Sequence, residues 1–230
     1  AVLGEKYKVL KTEGNLNNEI GVPMTLLRLN REHQIAVLEL GMNHAGEIDY
    51  LSAIVEPDVV LMTNIGDSHI EHFGSREKIL EAKSEIFRHA RSDAFVVLNG
   101  DDPLLRTLPE QLPYPCMLVG AGEALDYRAL HLESDGRSHL KCEVKTPHSD
   151  FNVEIPALGE HMIYPTLMAA AVGEHFGLSA REIASGVLHF APTKMRMNCR
   201  RDYHPQRCLQ CQSPVHAGGG GGSLRHQRRL

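Results

Sequence analysis

Thr63–Phe87, TNIGDSHIEHFGSREKILEAKSEIF, decides how the rest of the chain is read. It follows the apolar run Val59-Val60-Leu61-Met62, which opens a predicted strand Val59–Asn64, and passes through a polar turn into a predicted helix. Ser75 comes after Gly74 and suits a helix N-cap, and Glu77 lies in the first turn, where the helix dipole favours an anion. Ile79, Ala82, Ile86, Phe87 and Ala90 recur at helical spacing as a core-facing stripe, and Lys83 fills the vacant place one turn after Ile79. A lysine there either snorkels its ammonium to the surface or is held by burial in its neutral, nucleophilic form. Asp67, Ser68 and His69 fall at the carboxyl end of a predicted parallel strand, where open α/β sheets place their ligands.

Outward from this stretch, Lys8–Lys11 predicts a short strand and Thr12–Asn18 a polar loop, in which Asn15, Asn17 and Asn18 read by composition as turn residues. A helix through Met24, Leu26, Leu27 and Leu29 leads to a predicted buried strand, Ile35–Leu40. Glu39 stands inside its apolar run, so the carboxylate is paired, metal-bound or pointed out of the end of the sheet. Ala45–Val55 predicts a helix and Ala94–Asn99 a strand. Asp101 and Asp102 follow as structural residues, placed to cap a helix whose first turn suits Pro103. Between Tyr114 and Ala157 the period changes to two, with segments Cys116–Val119, Leu130–Glu133, Ser138–Lys145 and Phe151–Ile155 and a hairpin signal at Asp135-Gly136. Helices resume at Ile163–Phe176 and Ala180–His189. The fold class is α/β, a mostly parallel sheet flanked by helices, with a small antiparallel β subdomain at about residues 114–157.

The 230 residues carry a formal net charge of −5, but six arginines and one acid from Cys199 to Leu230 leave about −10 on residues 1–198. An acidic body argues against a nucleic-acid partner and suits anionic substrates only where metal ions intervene. No apolar run reaches the roughly 20 residues of a membrane span. The body holds only Cys116 and Cys142, without a disulfide framework, so a reducing, cytoplasmic compartment is expected.

Three segments, GNLNNEIGVPMTLLRL (Gly14–Leu29), AVLELGMNHAGEI (Ala36–Ile48) and the opening stretch, resemble the central ATPase domain of the Mur ligases; GEHMIYPTLMAAAVG from Gly159 is a weaker fourth. The Asn-rich segment resembles the branch of that family that joins D-alanyl-D-alanine to UDP-N-acetylmuramoyl-tripeptide. The resemblance implies a bacterial, cytoplasmic ligase of peptidoglycan precursors, monomeric at full length, using ATP and Mg2+ through an acyl phosphate. It implies Glu39, His69 and a carbamylated Lys83 as magnesium ligands, with Lys83 and His69 catalytic. It further implies Asn15, Asn17 and Asn18 at the muramoyl-peptide substrate, and Asn64, His161 and Arg196 at the nucleotide. His44 and His72 receive no such role. The family's fold is P-loop NTPase-like, yet no segment here fits G-x-x-x-x-G-K-S/T, the loop whose amides cradle phosphates. Where the family commonly has asparagine, this chain has Pro165. Residues 1–198 are therefore expected to be a central domain incomplete at its N-terminus, with little ligase activity alone. The alternatives are another ligase of the superfamily, such as an amino-acid-adding enzyme or a folylpolyglutamate synthase, and a non-catalytic substrate-binding remnant.

After Asn198 the helical and strand periods stop, and a five-glycine run appears. His204, Cys208, Cys211 and His216 fit no usual zinc-finger spacing. Read one base later with permitted codons, this tail yields an NDAYNASP segment that resembles the family's adenine-proximal motif. Residues 199–230 are accordingly expected to be a frameshifted, disordered end, with a glycine-rich linker as the other reading.

Overall fold

The predicted apolar runs pair into two sheets. The computed structural model describes residues 1–68, 70–136 and 138–191. In it β1 (Val9–Lys11) and β2 (Ile35–Val37) form a two-stranded parallel sheet. β3 (Val59–Met62), β4 (Phe95–Asn99), β5 (Cys116–Gly120), β6 (Tyr127–Ser134), β7 (Leu140–Lys145) and β8 (Asp150–Ile155) form a six-stranded sheet in that order. β3 to β6 run parallel, and β6, β7 and β8 continue antiparallel. Connecting helices are α1 (Gly21–Leu26), α2 (Glu47–Val55), α3 (Ile70–Phe73), α4 (Arg76–Ser84), α5 (Ile163–His175) and α6 (Ala180–Leu188). Among the described residues no helix is long and apolar enough to cross a membrane.

β4 shows why its sequence is apolar from Phe95 to Leu98. All five of its residues are buried. Phe95 and Val97 join one core cluster with Val119, Leu167, Ala170 and Ile183, while Val96 and Leu98 join another with Val60, Ile79, Ala82 and Leu105. A parallel strand covered on both faces takes apolar side chains in succession, and the buried Asn99 that ends it is satisfied by hydrogen bonds. α5 covers the first face and is tied to the β7 end by Glu174, whose carboxylate accepts from the Tyr127 hydroxyl and from Thr146 Oγ1, both at 2.8 Å.

Three expectations change in detail. The strand expected over Ile35–Leu40 spans Ile35–Val37 and is not buried, with Val37 42% exposed. Among the described residues it pairs only with β1, and a two-stranded ribbon has no interior strand to be covered on both faces. Cys116–Gly120 belongs to the parallel part, so the antiparallel hairpins begin at β6 and extend the main sheet through the β5–β6 pairing Val119↔Tyr127. The helix after Ser75 is capped as expected, Ser75 Oγ accepting from Lys78 N, but it tightens into a 3-10 turn over Glu85–Arg88.

That tightening delivers Glu85, 7% exposed, to the start of α2. Its two carboxylate oxygens accept from Gly46 N at 2.8 and 2.9 Å, and Oε2 accepts also from Asp49 N at 3.2 Å. The first amides of a helix lack intrahelical partners, and an anion there also meets the positive end of the dipole. Arg196 and the expectations for residues 199–230 lie outside the described residues, as does His69.

Candidate functional site

The carboxyl ends of β3, β4 and β5 converge where a parallel sheet places its ligands. β3 passes into the loop Thr63–Gly66, and three side chains from other elements hold that loop. Asn99 Nδ2 donates to Thr63 O at 3.0 Å, Lys83 Nζ donates to Asn64 O at 2.9 Å, and Asp102 Oδ2 accepts from Ile65 N at 2.7 Å. Asp102 Oδ1 accepts from Leu104 N and Leu105 N, the capping role its sequence predicts. Beyond the loop, Arg76 grips Asp67 with a two-pronged contact at 2.6 and 2.9 Å.

Lys83 holds this loop from the side of α4. It is half-buried, and its ammonium reaches a backbone carbonyl. Burial lowers its pKa below the ordinary lysine value, and the Asp102 charge opposes that shift in part. The neutral, nucleophilic form is therefore more accessible here than on a surface lysine.

Glu39 follows β2 and is exposed. Its backbone N donates to Thr12 Oγ1 at 2.9 Å, and its Oε1 accepts from Asn17 Nδ2 at 3.1 Å. Asn17 fits because residue 41 is glycine, where a Cβ would stand 2.8 Å from the Asn17 amide nitrogen. Gly41 N also donates to Asn17 O at 2.7 Å, closing the loop over β2. The three asparagines thus divide. Asn17 orients Glu39. Asn18 Oδ1 accepts from Ile20 N and Gly21 N and caps the entry to α1. Asn15 is exposed.

On the neighbouring edge, Glu47 Oε2 accepts from Asn43 N and His44 N, and those bonds, led by the one from Asn43, hold its pKa below the usual glutamate value. The His44 and His72 rings lie 5.6 Å apart, both residues exposed. His161 is exposed on the 3-10 turn Glu160–Met162, at the entry to α5. Asn64 keeps its side chain at the site mouth, where Oδ1 accepts from Thr63 Oγ1 at 3.2 Å. Pro165 sits in the first turn of α5, where a missing N–H breaks no helical bond. Composition alone passed over Glu85, Asn99 and Thr12. Glu85 falls off the apolar stripe that drew attention to Lys83, so no period in the sequence marked its burial.

Among the described residues no three His, Cys, Asp or Glu side chains converge to hold a metal ion. The donor types nevertheless fit magnesium, a hard cation that takes oxygen ligands: Glu39 presents an exposed carboxylate, and Lys83 would become an oxygen donor if it were carbamylated.

Residues 1–173 match the family described as Mur ligase middle domain. The chain belongs to that family. This Mur ligase middle domain is 40% identical over 200 residues to the UDP-N-acetylmuramoyl-tripeptide–D-alanyl-D-alanine ligase of Bacillus subtilis (strain 168), a match covering 86% of the chain and 42% of that relative. A crystal structure of MurF from Acinetobacter baumannii superposes with a TM-score of 0.80 at 37% identity, covering 86% of this chain and 43% of that one. MurF ligase from Thermotoga maritima in complex with ADP gives 0.70 at 30%, covering 80% and 43%. The chain therefore spans about two fifths of the length of the relatives it matches.

Proposed function

We propose that this Mur ligase middle domain serves an ATP-dependent peptide ligase that joins D-alanyl-D-alanine to UDP-N-acetylmuramoyl-tripeptide in cytoplasmic peptidoglycan precursor synthesis. The observation that carries the reading is Lys83, a half-buried amine held on the Asn64 carbonyl at the carboxyl end of β3. The likeness to the D-alanyl-D-alanine ligases supports the choice of acceptor.

In this reading the Lys83 Nζ lone pair adds to the carbon of carbon dioxide, an N–H proton leaves to solvent, and the amine becomes an anionic carbamate. Glu39, held by Asn17 and Thr12, would supply a second oxygen donor, and His69 a nitrogen donor. Magnesium bound there would offset the charge of the ATP phosphates, the stabilisation that dominates phosphoryl transfer. Asn64 and His161, with Arg196, would contact the nucleotide, and Asn15, Asn17 and Asn18 the muramoyl-peptide. The tripeptide carboxylate takes the γ-phosphoryl group of ATP to give an acyl phosphate, and ADP leaves with the electrons of the broken P–O bond. The amine of D-alanyl-D-alanine attacks its carbonyl carbon, a proton leaves that nitrogen, and phosphate departs with the C–O electrons.

Residues 1–198 would form the middle domain proper, and residues 199–230 a frameshifted end, which sequencing the source locus across codons 190–230 decides. The test of function is ADP release by the protein that carries this domain, with UDP-N-acetylmuramoyl-tripeptide and either D-alanyl-D-alanine or free diamino acids as acceptor. Release that depends on the dipeptide and is lost in Lys83→Ala is the expected result. Release with a free amino acid but not the dipeptide refutes the assignment. The 230 residues by themselves are expected to give little turnover.

A further inference from the structure

The turn Asn99-Gly100-Asp101-Asp102 does more than end β4. Asn99, 6% exposed, spans it by donating to Thr63 O and accepting from Asp101 N on Oδ1 at 2.9 Å. Asp102 reaches the same side, to Ile65 N. Asp101 reaches the other side, where Oδ2 accepts from Ala121 N at 2.7 Å and Oδ1 from Gly122 N at 3.0 Å in the loop after β5. Glycines make that approach possible: a Cβ on Gly120 would lie 2.5 Å from Asp101 Oδ2, and one on Gly122 would lie 2.7 Å from Oδ1. Asp101 also bonds to Tyr164 in the first turn of α5, three residues after His161. One turn thus cross-links the carboxyl ends of three adjacent parallel strands. Lys83 adds a contact to Asn64, between the two loop residues flanking it that the turn holds.

We propose that this turn is the positioning element of the site. Asn99 and Asp102 fix the loop 63–66 against which Lys83 is set, and Asp101 fixes the loop 120–122 and the start of α5, so that the Lys83 side and the α5 side of the site keep one separation. The inference rests on the reading of Lys83 and Glu39 as magnesium ligands. Its physical basis is that ligand groups on loops hold a productive geometry only when a supporting shell removes the loop's freedom.

The test uses the 230-residue chain in 13C-bicarbonate, with Mn2+ alone as the metal probe followed by electron paramagnetic resonance and the carbamate carbon followed by NMR. Amide exchange is read over 63–66 and 120–122 in the same samples. Asp102→Asn is expected to speed exchange at Ile65 and weaken Mn2+ binding about tenfold, as loss of a supporting contact to a metal site does. Asp102→Ser keeps a cap for Leu104 and Leu105 but is too short for Ile65, and is expected to do the same. Asp101→Asn is expected to free 120–122 while Ile65 stays protected. Wild-type Mn2+ affinity and Ile65 protection in both Asp102 variants overturn the proposal. A wild-type chain that neither binds Mn2+ nor forms a carbamate refutes the magnesium reading. The turn is then judged on exchange alone: separate release of the two loops upholds the cross-link, and loosening of both by either variant overturns it.

Discussion

Glu85→Gln isolates the contact that joins the opening stretch to α2. The carboxylate is 7% exposed and takes Gly46 N on both oxygens and Asp49 N on one, with separations of 2.8 to 3.2 Å. Glutamine has nearly the same volume, so no cavity enters the comparison. It keeps one acceptor oxygen and turns an N–H2 group toward amides that need acceptors. Hydrogen bonds to a charged group contribute about 1.5–3 kcal/mol each, and a partly buried anion at a helix N-terminus up to about 2 kcal/mol. Since one good acceptor remains, a loss of about 2–3 kcal/mol is expected. In a chain of this size each kcal/mol moves the melting midpoint by about 2–4 °C, so the variant should melt roughly 4–12 °C lower. Urea unfolding followed by circular dichroism, together with calorimetry, gives both numbers. Glu81→Gln, an exposed position on the same helix, should stay within about 0.5 kcal/mol of wild type. A Glu85→Gln midpoint indistinguishable from that of Glu81→Gln would show that the buried carboxylate does not hold α2.

Gly21→Ala places a Cβ 2.5 Å from the Leu16 backbone, which has no flexible end to move aside, so a loss of about 1–3 kcal/mol and faster amide exchange at Asn17 are expected. Ser179→Ala breaks the reciprocal cap with Glu182 at the start of α6 and should lower stability by about 1 kcal/mol in urea unfolding. Lys83 titrates below the ordinary lysine value in the folded state, so between its folded and unfolded values the unfolded chain binds more protons and stability rises with pH. Urea midpoints taken through that alkaline window should climb in wild type and climb less in Lys83→Met; equal slopes would show that the lysine is not desolvated.

Period and punctuation carried most of the fold. The apolar run at β4, the Ser75 cap and the period-two segments after Tyr114 are local signals, written where the element forms. Those at β2 misled, because the run Ile35–Leu40 reports apolar character and not whether a neighbour covers it. The same limit applies to Asn15, Asn17 and Asn18: their spacing reads as a turn, and only the fold gives Asn17 to Glu39 and Asn18 to α1.

By itself, the sequence determined the α/β class, the capped helix bearing Lys83 and the family resemblance, since each rests on residues close together along the chain. The tertiary structure alone decided that Glu85 caps α2 across 39 positions and that one turn after β4 ties the ends of three strands together. Those contacts join polar groups far apart in sequence. No period marks them, because a carboxylate is buried only when folding brings unpartnered amides to meet it.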